Sequence, residues 1–399
     1  MIQLNYLMPT RIIMGEQCIF ENRSLIARLG KKALIVSGKH SAKANGAFDD
    51  TVKTLKANGQ DYVIYDKVMT NPTDICVFEA GKMARSSGCD FVLAIGGGSP
   101  MDAAKAAAVL AINDISKEEL FGISFTSALP LAVVPTTAGT GSETTQYSVL
   151  VDTTEADGIT PKSGGPVKRS FTSPLVFPCY AFLDAKYMLY LNRNITVNTA
   201  LDALSHAIEG MLTLKTNCLS NMLARESIHM IMECMDILLD FPGDPSMFPM
   251  EKREKLLLAS AVSGMVIAQT GTAAPHSMGY LFTLNWGTDH GRANALLMKS
   301  FLSWCREKEQ ALSNDGSAPR ISNLCKALGM ELEPFFELVE QLLGEREKTS
   351  EAELSAWSKL PMKNAAATFI QPKQEEIKRI YLESFGFPRN PGILDSGAD

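Results

Sequence analysis

Apolar and polar residues follow two different rhythms along this chain, and the change of rhythm divides it. In the first half, short apolar runs alternate with helical patterns. Lys32-Ala33-Leu34-Ile35-Val36, Asp61-Tyr62-Val63-Ile64-Tyr65, Phe91-Val92-Leu93-Ala94-Ile95 and Leu131-Ala132-Val133-Val134-Pro135 read as strands. Helical periodicity fills the gaps between the first three, as over residues 47–58 and 77–87. Strands alternating with helices imply a parallel sheet covered by helices. After about Tyr187 the rhythm becomes helical: residues 196–214, 218–239, 252–269 and 291–305 carry it, with few strand signals. The boundary falls near residues 185–190, close to Asp184-Ala185-Lys186. The expected architecture is an α/β domain with a parallel sheet over 1–187 and an all-α domain over 188–399. The stretch from Pro388 to Asp399 reads as a loose tail, and no internal repeat is visible.

A length of 399 residues is enough for two cores. Hydrophobic residues at 46% and charged residues at 21% fit a soluble globular enzyme. A net charge of −6 leaves no footprint for nucleic acid. The longest apolar run, around Ala103 to Ile112, is too short to span a bilayer and carries Lys105. The opening Met1-Ile2-Gln3-Leu4-Asn5-Tyr6 lacks the layout of a secretory signal. The 8 cysteines form no C-x-x-C pair and read as free thiols in a reducing compartment. The expectation is a cytoplasmic protein with neither nucleic acid nor membrane as partner.

Candidate chemistry begins with two glycine-containing turns. Gly96-Gly97-Gly98-Ser99-Pro100-Met101-Asp102 follows a strand and opens a helix. Glycines let a phosphate approach the backbone, and free N–H groups at the helix start point at it. Gly97, Gly98 and Ser99 are the expected contacts. Asp102 suits the first helical turn or a ribose hydroxyl. The spacing is neither G-x-G-x-x-G nor a P-loop, and a plain βα turn is the bland alternative. Pro135-Thr136-Thr137-Ala138-Gly139-Thr140-Gly141-Ser142-Glu143 offers hydroxyls to a pyrophosphate or ribose, or is simply a polar loop. The loop Ser37-Gly38-Lys39-His40-Ser41-Ala42-Lys43 follows the first parallel strand, where a nucleotide-binding sheet meets the adenosine ribose. An acid there would favour NAD(H). Gly38, Lys39, Ser41 and Lys43 offer space, a hydroxyl and positive charge instead, so NADP(H) is expected over NAD(H).

Asp202 and His206 stand four residues apart on an expected helix and so share a face. With His276 and His290 they make four groups able to bind one divalent ion, Fe²⁺ or Zn²⁺.

Taken together, the Gly96–Ser99 and Pro135–Glu143 segments, Asp202-Ala203-Leu204-Ser205-His206-Ala207-Ile208-Glu209, and the span from His276 to His290-Gly291 resemble the iron-containing, metal-dependent alcohol dehydrogenase family. The likeness runs from about Leu4 to Phe385, and the loop after Gly38 is similar to that of NADP(H)-using butanol-dehydrogenase-like members. It implies an N-terminal dinucleotide-binding domain and a helical domain, a plan shared with dehydroquinate synthase. It implies metal ligands at Asp202, His206, His276 and His290. It implies nicotinamide-side hydroxyls at Thr136, Thr137 and Thr140, an adenine-side segment at Asn71, a cleft lysine at Lys168, and a homodimer. One departure is clear: where the family has a second histidine, thought to pass the alcohol proton to solvent, this chain has Tyr280. Tyr280 is either its replacement or a packing aromatic.

The resemblance implies reversible hydride transfer between NAD(P)(H) and a small alcohol/aldehyde pair. A glycerol dehydrogenase, a 3-dehydroquinate-synthase-like enzyme, and a catalytically silent nucleotide- or metal-binding relative are the alternatives. Tyr147, Phe171, Phe282 and Trp286 are bulky candidates for the pocket wall.

Overall fold

The computed structural model describes residues 4–122, 124–155, 162–312 and 319–388. Eight strands are present among them: β1 (Arg11–Met14), β2 (Lys32–Gly38), β3 (Asp61–Val68), β4 (Phe91–Gly96), β5 (Leu131–Pro135), β6 (Tyr147–Asp152), β7 (Val167–Thr172) and β8 (Tyr180–Leu183). Six form one sheet in the order β1-β8-β5-β4-β2-β3, parallel throughout. The chain runs from β2 to the edge strand β3, then crosses to β4 on the other side of β2. That reversal opens a crevice beyond the carboxyl ends of β2 and β4, where nucleotides bind in sheets of this kind.

Side chains alternate between the two faces of each strand. Leu34, Val36, Val92, Ala94 and Val133 join one core, whereas Ala33, Ile35, Leu93, Ile95 and Val134 join the other. The strands are apolar on both sides because helices cover both, as parallel sheets require. The first of these cores continues into the helical half through Ala203, Leu204 and Ala207.

All four expected strands are present. β1 and β8 were not expected. Each has only four residues, and they pair across the chain, Arg11 with Tyr180, so no local rhythm betrays them. The antiparallel β6–β7 hairpin was also unforeseen. The expected 218–239 helix is two, Cys218–Met232 and Met235–Asp240, with Lys252 Nζ donating to the Glu233 carbonyl at the break, 2.8 Å.

The helix Ala274–Trp286 carries no capping residue of its own, contains Gly279, and was missed for that reason. Its start is held from a distance: Ala273 N donates to Glu209 Oε2 at 2.8 Å and Ala274 N to Thr368 Oγ1 at 3.0 Å. The expected tail from Arg389 onward lies outside the described residues. No single helix among the described residues is long and apolar enough to cross a membrane.

Glycines set the approach of the two halves. Gly141, at φ +59°, lies against Gly264 of the Met250–Thr270 helix, so that a Cβ on Gly264 would collide with Gly141 O and Thr144 Oγ1. Gly264→Ala is therefore expected to cost about 1–3 kcal/mol through overpacking. Gly164→Ala, in open space, serves as the neutral control. Thermal unfolding of the two variants checks this, and equal midpoints would refute it.

Candidate active site

At the end of β4 the chain turns at Gly96 (φ +148°), and the Gly98–Leu110 helix follows. A Cβ on Gly97 would stand 2.8 Å from Thr137 Oγ1, and one on Gly98 would stand 2.7 Å from Thr140 Cγ2. The glycine turn and the threonine loop are thus in contact and form one cradle. Gly97 precedes the helix without a side-chain cap, so the first N–H groups have no side-chain acceptor there. Ser99 Oγ accepts from Asn71 N at 3.1 Å, and Asn71 holds a left-handed backbone, φ +58°. That conformation is uncommon for a residue with a side chain and places Asn71 at the rim of the cradle. Thr136 is buried, its N–H bound to the Gly96 carbonyl at 3.0 Å.

Asp102 looks away from a free ligand role. Its Oδ1 accepts from Ser142 Oγ at 2.8 Å and its Oδ2 from Val149 N at 3.0 Å. Beside it, fully buried Lys105 donates to Ser142 O (2.8 Å), Ser142 Oγ (2.8 Å), Thr145 Oγ1 (3.1 Å) and Tyr147 O (2.8 Å). Burial brings its ammonium down to about 8, against the pull of Asp102 and Glu143. Burial likewise lifts Glu143 to about 7. This cluster ties the glycine helix, the threonine loop and the β6–β7 hairpin together.

At the carboxyl end of β2, where the sequence places the adenosine contact, Gly38 has room for a Cβ, 3.5 Å from Val68 O. Lys39 and Ser41 are exposed. Lys43 pairs with Asp66 at 2.6 Å, which leaves Lys39 as the uncommitted cation of the loop.

The candidate metal ligands come from three helices, Arg193–Met211, Ala274–Trp286 and His290–Leu312. Ligand atoms of Asp202, His276 and His290 all lie within 4.8 Å of one another. His206 stands beside this trio: its Nε2 is 3.9 Å from Asp202 Oδ1 and its ring centroid 4.8 Å from that of His276. Burial lowers the basicity of all three imidazoles, bringing His276 to about 4, so each offers a neutral lone pair at pH 7. The buried Asp202 carboxylate makes no salt bridge to lysine or arginine among the described residues. Lys168 acts on this carboxylate without an ion pair, and a divalent ion among three neutral nitrogens would balance it directly. The donor set therefore fits the metal that the sequence implies. Tyr280 stacks on His290 with centroids 5.3 Å apart, and Lys168 Nζ lies 4.9 Å over its other neighbourhood, the tyrosine ring face. Burial brings Lys168 to about 8, opposed by Asp202 and Asp102. Neither the Lys168 ammonium nor the Tyr280 hydroxyl makes a side-chain hydrogen bond among the described residues; the two groups meet each other, Lys168 Nζ lying over the tyrosine ring.

The family description "Iron-containing alcohol dehydrogenase" matches residues 9–185, and "Fe-containing alcohol dehydrogenase family, C-terminal" matches residues 196–385. The chain belongs to the iron-containing alcohol dehydrogenase family. It is a metal-dependent alcohol/aldehyde oxidoreductase. A solved iron-containing alcohol dehydrogenase from Thermotoga maritima is 36% identical, with a TM-score of 0.81 over 96% of this chain and 99% of that one. The protein named "Probable alcohol dehydrogenase EutG" in Escherichia coli is 32% identical over 70% of this chain and 68% of its own. Lactaldehyde reductase of Escherichia coli is 29% identical over 82% and 81%.

For an iron-containing alcohol dehydrogenase, the residues that sequence reasoning passed over are Lys105, Glu209 and Asn294. Glu209 had a signal: it follows Asp202 by seven residues, two turns along the same helical face. Asn294 had one as well, four residues after His290. Of the bulky pocket candidates, Phe282 and Phe171 are core residues, while Tyr147 and Trp286 are half-buried. Phe282 is fully buried against Trp286, Trp357, Tyr381 and Phe385, and Phe171 packs edge-on to Phe125. The Tyr147 hydroxyl is bound to the Ile267 carbonyl at 2.9 Å.

Removing the Lys105 ammonium would orphan its buried acceptors. Lys105→Met is expected to lower stability by on the order of 3 kcal/mol and to loosen the cradle. Urea unfolding checks the first, and an unchanged midpoint would show that the cluster is not a stabilising hub.

Proposed function

We propose that this chain is an NADP(H)-preferring alcohol dehydrogenase and aldehyde reductase. In this reading Asp202, His206, His276 and His290 hold one divalent ion, Fe²⁺ or Zn²⁺. The α/β domain (1–187) binds the dinucleotide and the helical domain (188–399) binds the ion. The observation that carries the reading is the convergence of Asp202, His276 and His290 on one buried point beside the nucleotide cradle. The two sites share a wall, since Gly139 of the threonine loop packs directly on Thr199, one turn before Asp202.

When bound, the ion supplies Lewis-acid polarisation and the nicotinamide supplies the hydride. The protein's own part is placement. Gly97, Gly98 and Ser99 orient the pyrophosphate, with Asn71 and Asp102 behind them. Thr136, Thr137 and Thr140 hold the nicotinamide side. Lys168, which lies over the Tyr280 ring and makes no ion pair within 4 Å among the described residues, is suited to a ribose oxygen. Tyr280 occludes one side of the His290 ring and presents a hydroxyl where the family has a relay histidine. Close packing around the ligands limits water. The substrate is a small alcohol or aldehyde. A reducing cytoplasm suits the 8 free cysteines, and the working form is a homodimer.

His276→Ala should abolish tight metal binding and lower turnover by about 10³-fold or more, as loss of an essential electrostatic group does. Elemental analysis paired with aldehyde reduction tests it. Full metal content and full activity in that variant would remove the assignment.

Cofactor choice follows from the Gly38 loop, which holds no acid and one free lysine. Among the similar proteins, a methanol dehydrogenase of Bacillus methanolicus is named NAD-dependent, so the preference belongs to this chain's own residues. We expect kcat/KM to favour NADPH over NADH by about tenfold, roughly one charge-assisted hydrogen bond. Gly38→Asp should reverse it, since a Cβ fits there. A wild-type preference for NADH would overturn the proposal.

A further inference from the structure

His276 is held on two sides by groups that are not ligands. Its Nδ1 lies 2.6 Å from Glu209 Oε1. The other oxygen of the same carboxylate accepts from Ala273 N, at the start of the helix that carries His276. Glu209 thus fixes both the ring and the backbone from which it projects. A cation on Nε2 selects the tautomer in which Nδ1–H donates to Glu209, with the ring lone pair on Nε2. Metal-bound histidines are commonly oriented in this way by an outer carboxylate.

The second group is Asn294, which is fully buried. Its Nδ2 stands 3.3 Å from His276 Nε2 and 3.5 Å from His276 Nδ1. Near-equal distances to both ring nitrogens put the amide over the ring face, not in its plane. It is therefore not placed as a ligand, and it blocks rotation of the ring. The same nitrogen is 3.5 Å from Asp202 Oδ1 and 3.4 Å from His290 Nε2. Asn294 accordingly touches all three members of the trio. The fit depends on Gly279, where a Cβ would stand 2.5 Å from Asn294 Oδ1.

We propose that Glu209 and Asn294 are positioning residues that lock the His276 imidazole, Glu209 at its edge and Asn294 on its face, so that Nε2 faces the ion. This rests on the metal-centre reading above. The lock acts before any ion arrives, so it should set affinity and coordination geometry, with Glu209 also holding the start of the helix that carries His276.

The test uses Co²⁺ as the probe, added to metal-depleted full-length protein. Affinity is read by chelator competition, geometry by the visible absorption of the bound Co²⁺, and the fold by the thermal midpoint without metal. Glu209→Gln keeps the shape of the side chain, yet it can satisfy only one of the two N–H groups that the carboxylate serves. Asn294→Ser removes the amide from the ring face and leaves space. Each variant should weaken Co²⁺ binding about 10–100-fold, the effect of losing an outer-sphere partner. Each should also alter the absorption bands, while the metal-free midpoint stays near that of the wild type for Asn294→Ser and falls for Glu209→Gln, which leaves a buried N–H without its acceptor. Glu209→Asp should recover part of the affinity. If Glu209→Gln fails to fold, Asn294→Ser carries the test alone. His290→Ala is measured in parallel. If it loses Co²⁺ while the positioning variants bind and absorb like the wild type, the lock is overturned and the metal centre stands. If His290→Ala itself binds Co²⁺ like the wild type, the metal centre falls instead.

Discussion

One buried helix face dictates the chemistry of this protein. Asp202, His206 and Glu209 lie within two turns of the Arg193–Met211 helix, and all three are almost wholly shielded from water. A low-dielectric surrounding penalises charge and unpaired polar atoms alike. Neighbouring elements answer that penalty. The Ala274–Trp286 helix brings His276 to Glu209, and the His290–Leu312 helix brings His290 and Asn294 to Asp202. What remains is a carboxylate among neutral imidazoles, on which Lys168 acts without an ion pair, and a divalent cation fits there.

The nucleotide side is held by a comparable device of opposite sign. Lys105 is a buried cation satisfied by hydroxyls and carbonyls of the threonine loop, with Asp102 and Glu143 as its nearest anions. Because its acceptors lie on the segment that follows β5, the same contact that neutralises the lysine also shapes the cradle. Glycines then let backbone meet backbone: Gly139 on Thr199 and Gly141 on Gly264 bring the cradle against the helical half.

The readable parts of the fold were those with local cause. β2, β3, β4 and β5 show as apolar runs because helices cover both faces of the sheet. β1 and β8 did not show, being four residues each and stabilised only by one another and β5. The Ala274–Trp286 helix did not show because its first N–H groups are capped by Glu209 and Thr368, far away in the chain. At the site, the four-residue spacing of Asp202 and His206 was visible, and so were the two glycine-bearing turns. Glu209 lay in view without a role, since its partner, His276, comes 67 positions later. Phe282, taken for a pocket wall, went into the core, because a ring that can stack on Trp286, Tyr381 and Phe385 gains more there than in a wet cleft.

By itself the sequence determined the four strands with apolar runs and most of the long helices, the glycine turns, and the placing of Asp202 and His206 on one helical face. These follow from interactions among residues a few positions apart, governed by periodicity and backbone sterics. Only the tertiary structure decided which oxygen of Glu209 meets which nitrogen of His276, that Asn294 lies over the ring rather than in its plane, and that Asp102 serves Ser142 and Val149. Those are contacts between distant segments. Their geometry is set by how whole helices pack, and no spacing along the chain encodes it.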